Sequence, residues 1–117
     1  MKVQKIAIYA LSISLLFFVS LLQAQDLGPN FKKIKEGIYI YSARAADANS
    51  GIILTQEGVM LIDSGHNPPD SRAVLKAVRQ LTSQPVRFLI NTEPHSDHTT
   101  GHFLFSPPAV IIAHEGA

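Results

Sequence analysis

Asn91-Thr92-Glu93-Pro94-His95-Ser96-Asp97-His98-Thr99-Thr100-Gly101-His102 is the stretch that decides how this chain reads. Five of its side chains can ligate a metal: Glu93, His95, Asp97, His98 and His102. The stretch follows directly on the apolar run Val86-Arg87-Phe88-Leu89-Ile90. Carboxylates and imidazoles crowded onto one loop put negative charge and lone pairs into a small volume, which a cation holds together. Pro94 breaks any continuous helix here. The side chains are therefore expected to converge from a tight loop at a strand end, with Thr99, Thr100 and Gly101 allowing close turning and a short helix opening after them. A plain polar loop would account for one histidine, but not for His95 and His98 together with Glu93 and Asp97. A nucleophilic triad of Ser96, Asp97 and His98 is set aside, because sequence neighbours cannot converge as a triad requires.

Outward from this loop the chain alternates short strands and turns. Phe31 to Tyr41, broken by Glu36-Gly37, predicts two strands joined by a tight turn. Gly51 to Thr55 and Val59 to Asp63 flank Glu57-Gly58 as a hairpin. The second of these runs is apolar on both faces, as expected of a strand covered on both sides. Pro68-Pro69-Asp70 reads as a helix start. Ala73, Val74, Ala77, Val78 and Leu81 form its apolar stripe, and Gln84-Pro85 ends it. Val86 to Asn91 is the strand before the ligand loop, and Ala109 to Ala113 is a further strand. The order β-β-β-β-α-β-loop-β is a mixed α/β (α+β) layer. It is not a nucleotide-binding fold, since no Gly-rich phosphate loop follows an early strand.

The first 24 residues read as an export signal. Lys2 and Lys5 give a positive start, Ile6 to Leu22 is almost wholly apolar, and Ala24 offers a small residue for cleavage. A transmembrane anchor is the weaker reading: the run of seventeen residues, interrupted by Ser12, Ser14 and Ser20, sits at the lower limit for spanning, polar residues follow at once, and no basic cluster appears until Lys32. The domain is then 25–117, placed in the periplasm or secreted, with no stable membrane association after cleavage. Its charge is nearly balanced. Of ten basic residues Lys2 and Lys5 leave with the signal, so eight face nine acidic ones. That leaves no basic patch for nucleic acid. With no cysteine, the chain can carry neither a lipid-anchoring thiol nor a disulfide.

Thr92-Glu93-Pro94-His95-Ser96-Asp97-His98 resembles the H-x-H-x-D-H signature of the metallo-β-lactamase fold superfamily, with Glu93 in the place of the first histidine. Leu61-Ile62-Asp63-Ser64-Gly65 resembles the strand-ending Asp-x-Gly that precedes that signature, and the element order matches. The resemblance implies the first half of an αββα sandwich, incomplete in this chain, with Zn2+ (one or two ions, or another divalent metal) at its edge. It implies Glu93 and His95 on a first metal and Asp97 and His98 on a second. Asp97 would also orient the attacking hydroxide as the catalytic residue, and Asp63 would be a buried support rather than a ligand. The implied activity is metal-dependent hydrolysis of a small-molecule substrate: a β-lactam or a related ester, lactone or thioester. The alternative is a non-catalytic, exported metal-binding remnant of the fold. The family's remaining ligands are not among these residues, so the chain is expected to be an N-terminal portion, inactive alone. His102 is expected to support the site or lie on the surface. His66 is expected to be an ordinary loop residue, and His114 is not assigned as a ligand.

Overall fold

A computed structural model describes residues 25–43 and 48–116. The export segment read over residues 1–24 lies outside them. Six strands form one sheet in sequence order: β1 (Phe31–Lys35), β2 (Ile38–Ser42), β3 (Asn49–Thr55), β4 (Gly58–Ile62), β5 (Val86–Asn91) and β6 (Val110–Ala113). The first four pair antiparallel, while β4–β5 and β5–β6 are parallel. A parallel pair needs a crossover. The β4–β5 crossover is helix α1 (Pro68–Leu81), and the β5–β6 connection holds two single-turn helices, α2 (Ser96–Thr99) and α3 (His102–Phe105). The mixed α/β class and the expected element order both hold. The loop after β5 is more structured than its sequence suggests.

α1 starts where Asn67 caps it. The Asn67 Oδ1 accepts from the Asp70 amide at 3.0 Å, and the Asn67 Nδ2 donates to Asp70 Oδ2 at 2.9 Å. Satisfying free amides of the first turn in this way is worth about 1 kcal/mol. Tyr41 on β2 donates its hydroxyl to Asp70 Oδ1 at 2.5 Å, tying the sheet to the helix start. Val74, Ala77 and Val78 of the expected stripe are buried, with Ala73 and Leu81 half-buried beside them. They meet Tyr39, Tyr41, Ile52, Val59, Leu61 and Leu89 from one face of the sheet, with Phe105 of α3 closing the cluster. Burying each such Val or Leu contributes about 1.5–3 kcal/mol.

Register gives the opposite face. Ile38 lies opposite Ile53, Ile53 opposite Met60, Met60 opposite Phe88 and Phe88 opposite Val110; Ile62, Ile90 and Ile112 continue the set. These side chains are half-buried or exposed, Val110 to 58%. β4 was expected to be covered on both sides. Among the described residues only one side is covered, because α1 and α3 both lie against the Leu61–Leu89 face. The apolar composition of the strand was read correctly, but the second cover does not come from these residues.

Two backbone features bring the ends of β4 and β5 into the site. Asp63 takes a left-handed conformation (φ 53), which costs a non-glycine residue about 1–2 kcal/mol but is best tolerated by Asp and Asn. Gly101, between α2 and α3, sits hard against the turn after β4. A Cβ there would overlap the Ser64 carbonyl and the Ser71 hydroxyl and would lie 2.8 Å from Ser71 Cβ. Replacing Gly101 by Ala is therefore expected to cost about 3 kcal/mol, as overpacking against unyielding neighbours does. Gly116→Ala, whose nearest neighbour would be 3.4 Å away, is expected to change little. Denaturant midpoints of the two variants check this, and equal midpoints would contradict it.

Candidate metal centre

β4 and β5 run parallel and end side by side, so the turn after β4 and the loop after β5 leave the same edge of the sheet. Asp63 leads the first and Thr92 the second. The Asp63 amide donates to Ile90 O at 2.9 Å, continuing the ladder, and its side chain then reaches across. Asp63 Oδ1 accepts from the Thr92 amide at 2.9 Å, and Oδ2 accepts from the Thr92 hydroxyl at 2.7 Å. His98 Nδ1 lies 2.9 Å from the same Oδ2. Ser64 holds the other end of that residue, its amide at 2.9 Å and its hydroxyl at 3.0 Å both donating to His98 O. Asn91 Nδ2 donates to Glu93 O at 2.8 Å, fixing the loop's departure from the strand. Asp63 is buried, and these contacts tie it to both Thr92 and His98.

The four expected ligands come together. His98 Nε2 is 2.9 Å from Glu93 Oε1 and 3.5 Å from Asp97 Oδ2, and Glu93 Oε2 contacts His95 Nδ1. Glu93 thus spans the two histidines. His98 is nearly enclosed, Asp97 and Glu93 are partly open, and His95 is the most exposed of the set. With the Glu93 oxygens turned to the imidazoles, no group of three or more such donors is set to hold an ion in common among the described residues. In kind the donors suit a divalent ion: two carboxylates, and two imidazoles of which His98 keeps Nε2 toward the site. Donation of the other ring nitrogen to a carboxylate is the usual support for a metal-binding histidine.

The remaining histidines stand apart from this set. His102 is half-buried on α3 with Nε2 enclosed and without a hydrogen-bond partner, and His66 Nδ1 is enclosed likewise. His114 is exposed beyond β6, accepting from the Gly116 amide at 3.1 Å. Sequence reasoning missed Thr92, Ser64 and Asn91. Small polar residues at strand ends carry no ligand signature. The one available signal was their position, directly after β4 and directly before Glu93.

A model of the metallo-beta-lactamase superfamily matches residues 43–114, and the chain belongs to that superfamily. Among solved structures it is similar to a metallo-beta-lactamase from Pontibacter korlensis (22% identity, TM-score 0.64), covering 73% of this chain and 43% of that one. It is also similar to the FIM-1 metallo-beta-lactamase of Pseudomonas aeruginosa in its mono-zinc form (17%, TM-score 0.56; 73% and 41% covered). A third similar structure is a B3 metallo-beta-lactamase with an active-site glutamic acid (26%, TM-score 0.61; 75% and 34% covered). The chain thus spans about two-fifths of the length of the first two and about a third of the last. No curated protein matches.

Two histidines titrate away from their ordinary value, in opposite directions. Burial pulls His98 down, but the Asp63 hydrogen bond and the charges of Asp63, Glu93 and Asp97 outweigh it, so its pKa is raised. Burial lowers that of His102, with the Asp63 charge opposing. By linkage the His98 contribution to stability is complete below the unfolded value of 6.5 and is lost as pH rises through the raised folded value. That of His102 is present above 6.5 and is lost as pH falls through its depressed value. In metal-free protein, His98→Gln should remove the stability loss above pH 6.5, and His102→Gln should remove the loss below it. Denaturation curves across the pH range check both, and unchanged slopes would contradict the assignment.

Proposed function

We propose that this chain carries the ligand loop of an exported, zinc-dependent hydrolase acting on a β-lactam or a related ester, lactone or thioester. The observation that carries this reading is the crowding of three carboxylates, Asp63, Glu93 and Asp97, within 3.5 Å of one imidazole. Two imidazoles do not balance three carboxylates at such range, and a divalent cation does. Superfamily membership supports hydrolysis as the chemistry. Similarity to a B3 metallo-beta-lactamase with an active-site glutamic acid supports Glu93 as a working ligand in the histidine's place.

In this reading Glu93 and His95 hold one ion and Asp97 and His98 a second, with manganese or iron as alternatives to zinc at the carboxylate-rich position. When bound, zinc lowers the pKa of water to about 7 and polarises the carbonyl under attack. Asp97 accepts a hydrogen bond from the attacking water and aims it. Asp63 and Thr92 keep His98 in place through the cycle. Zinc takes four ligands, so these four donors would fill only half of the places around two ions, and the others would come from outside the described residues. The chain spans about two-fifths of the length of the relatives it matches. The positive start and apolar run over 1–24 direct the protein to the periplasm or beyond, where small-molecule substrates meet it.

A second reading, a non-catalytic metal-binding protein of the same fold, draws on Glu93, whose two oxygens engage both histidines. Zinc titration by calorimetry, with elemental analysis, separates the possibilities. Wild type should bind zinc. Glu93→Ala should bind it more weakly by at least the roughly 10–100-fold that losing an outer partner of a ligand costs. The isolated 117-residue chain loaded with zinc should hydrolyse esters and β-lactams far more slowly than a full-length family member. Equal zinc affinity in Glu93→Ala would remove that residue from the site, and turnover equal to that of a full-length family member would contradict the half-filled ligand sets.

A further inference from the structure

We propose that Thr92 is a positioning residue that decides which ring nitrogen of His98 is left bare toward the site. A hydroxyl has one hydrogen and two lone pairs. The Thr92 hydroxyl commits its hydrogen to Asp63 Oδ2 at 2.7 Å, so what it turns toward His98 Nδ1, 3.4 Å away, is a lone pair. His98 Nδ1 therefore faces two acceptors, the Asp63 oxygen at 2.9 Å and the Thr92 oxygen behind it. Both are satisfied when Nδ1 carries the hydrogen. On the neutral ring this leaves Nε2 as a lone pair, directed to where Glu93 Oε1 and Asp97 Oδ2 lie 2.9 and 3.5 Å away. The opposite tautomer would set the Nδ1 lone pair against two others.

Asp63 alone does not impose this choice. A carboxylate held at one oxygen can turn about its bond, presenting either oxygen or neither. Thr92 holds both oxygens at once, its amide on Oδ1 at 2.9 Å and its hydroxyl on Oδ2. The carboxylate plane is thereby fixed with Oδ2 at the ring. Because both donors belong to the residue beside Glu93, the clamp also ties the spacing of Glu93 to that of His98. The consequence for zinc rests on the function proposed above, whereas the tautomer does not.

Histidine-labelled, metal-free protein is measured by long-range proton–nitrogen NMR at a pH where the ring is neutral, alongside zinc calorimetry. Wild type should show His98 with hydrogen on Nδ1. Thr92→Val keeps the shape and removes the hydroxyl. It should give a mixture of tautomers and weaken zinc about 10–100-fold, the range for a lost outer partner. Thr92→Ser restores the hydroxyl and should restore both readouts. Hydrogen on Nε2 in wild type, or an unchanged tautomer in Thr92→Val, overturns the proposal whatever zinc does. If Thr92→Val does not fold, the wild-type tautomer and the Thr92→Ser result still decide. A tautomer that shifts as expected in a protein that binds no zinc supports the role of Thr92 and removes the metal reading instead.

Discussion

The candidate site hangs from one carboxylate. Asp63 receives the Thr92 amide, the Thr92 hydroxyl and His98 Nδ1, each within 3 Å, while its own amide stays in the ladder with Ile90. Hydrogen bonds to an ionised acceptor are roughly twice as strong as neutral ones, and the Asp63 that receives these is buried. The parallel β4–β5 pair makes the arrangement possible by delivering both loops to one edge. The left-handed backbone at Asp63 turns its side chain across the gap, and the close approach at Gly101 brings α2 back against Ser64. The placing of the candidate site is thus a consequence of strand pairing, transmitted through Asp63.

Charge gives that scaffold its chemical meaning. Three carboxylates beside His98 raise its pKa against the effect of burial, so a proton there is held more firmly than on an exposed imidazole. In the function proposed above, a cation at Nε2 would compete with that proton, so metal affinity would rise with pH. As a ligand in the function proposed above, Glu93 would be a harder, charged donor in the place of the signature's first histidine and would favour oxygen-preferring ions. The open apolar face from Ile38 to Ile112 lies on the same sheet, so whatever covers it also adjoins the edge where the ligands gather.

Much of this was legible in the sequence, for identifiable reasons. Alternating and continuous apolar runs fixed the strands to within a residue or two, and Pro68-Pro69-Asp70 marked the start of α1 because proline and a first-turn acid suit a helix start alone. The ligand loop was legible because its residue types are costly to crowd together without purpose. What stayed hidden depends on pairing partners far along the chain. Thr92 and Ser64 act on groups 29 and 34 residues away, and their residue types are common in any loop. A short helix was expected after Gly101, where α3 stands, but the single-turn α2 was unreadable. Four residues give no periodicity, and these turns are held by local bonds such as His98 amide to His95 O and Leu104 amide to Gly101 O. Composition shows that β4 needs two covers, not which residues supply the second, and among the described residues only one side is covered.

Crystals soaked in zinc and measured at the zinc absorption edge test the account most directly. An anomalous peak is expected about 2.0–2.1 Å from His98 Nε2, with a carboxylate of Glu93 or Asp97 in the same shell and Nδ1 still bonded to Asp63. Zinc bound away from this loop, or a His98 ring reversed so that Nδ1 meets the metal and Asp63 is released, would contradict it.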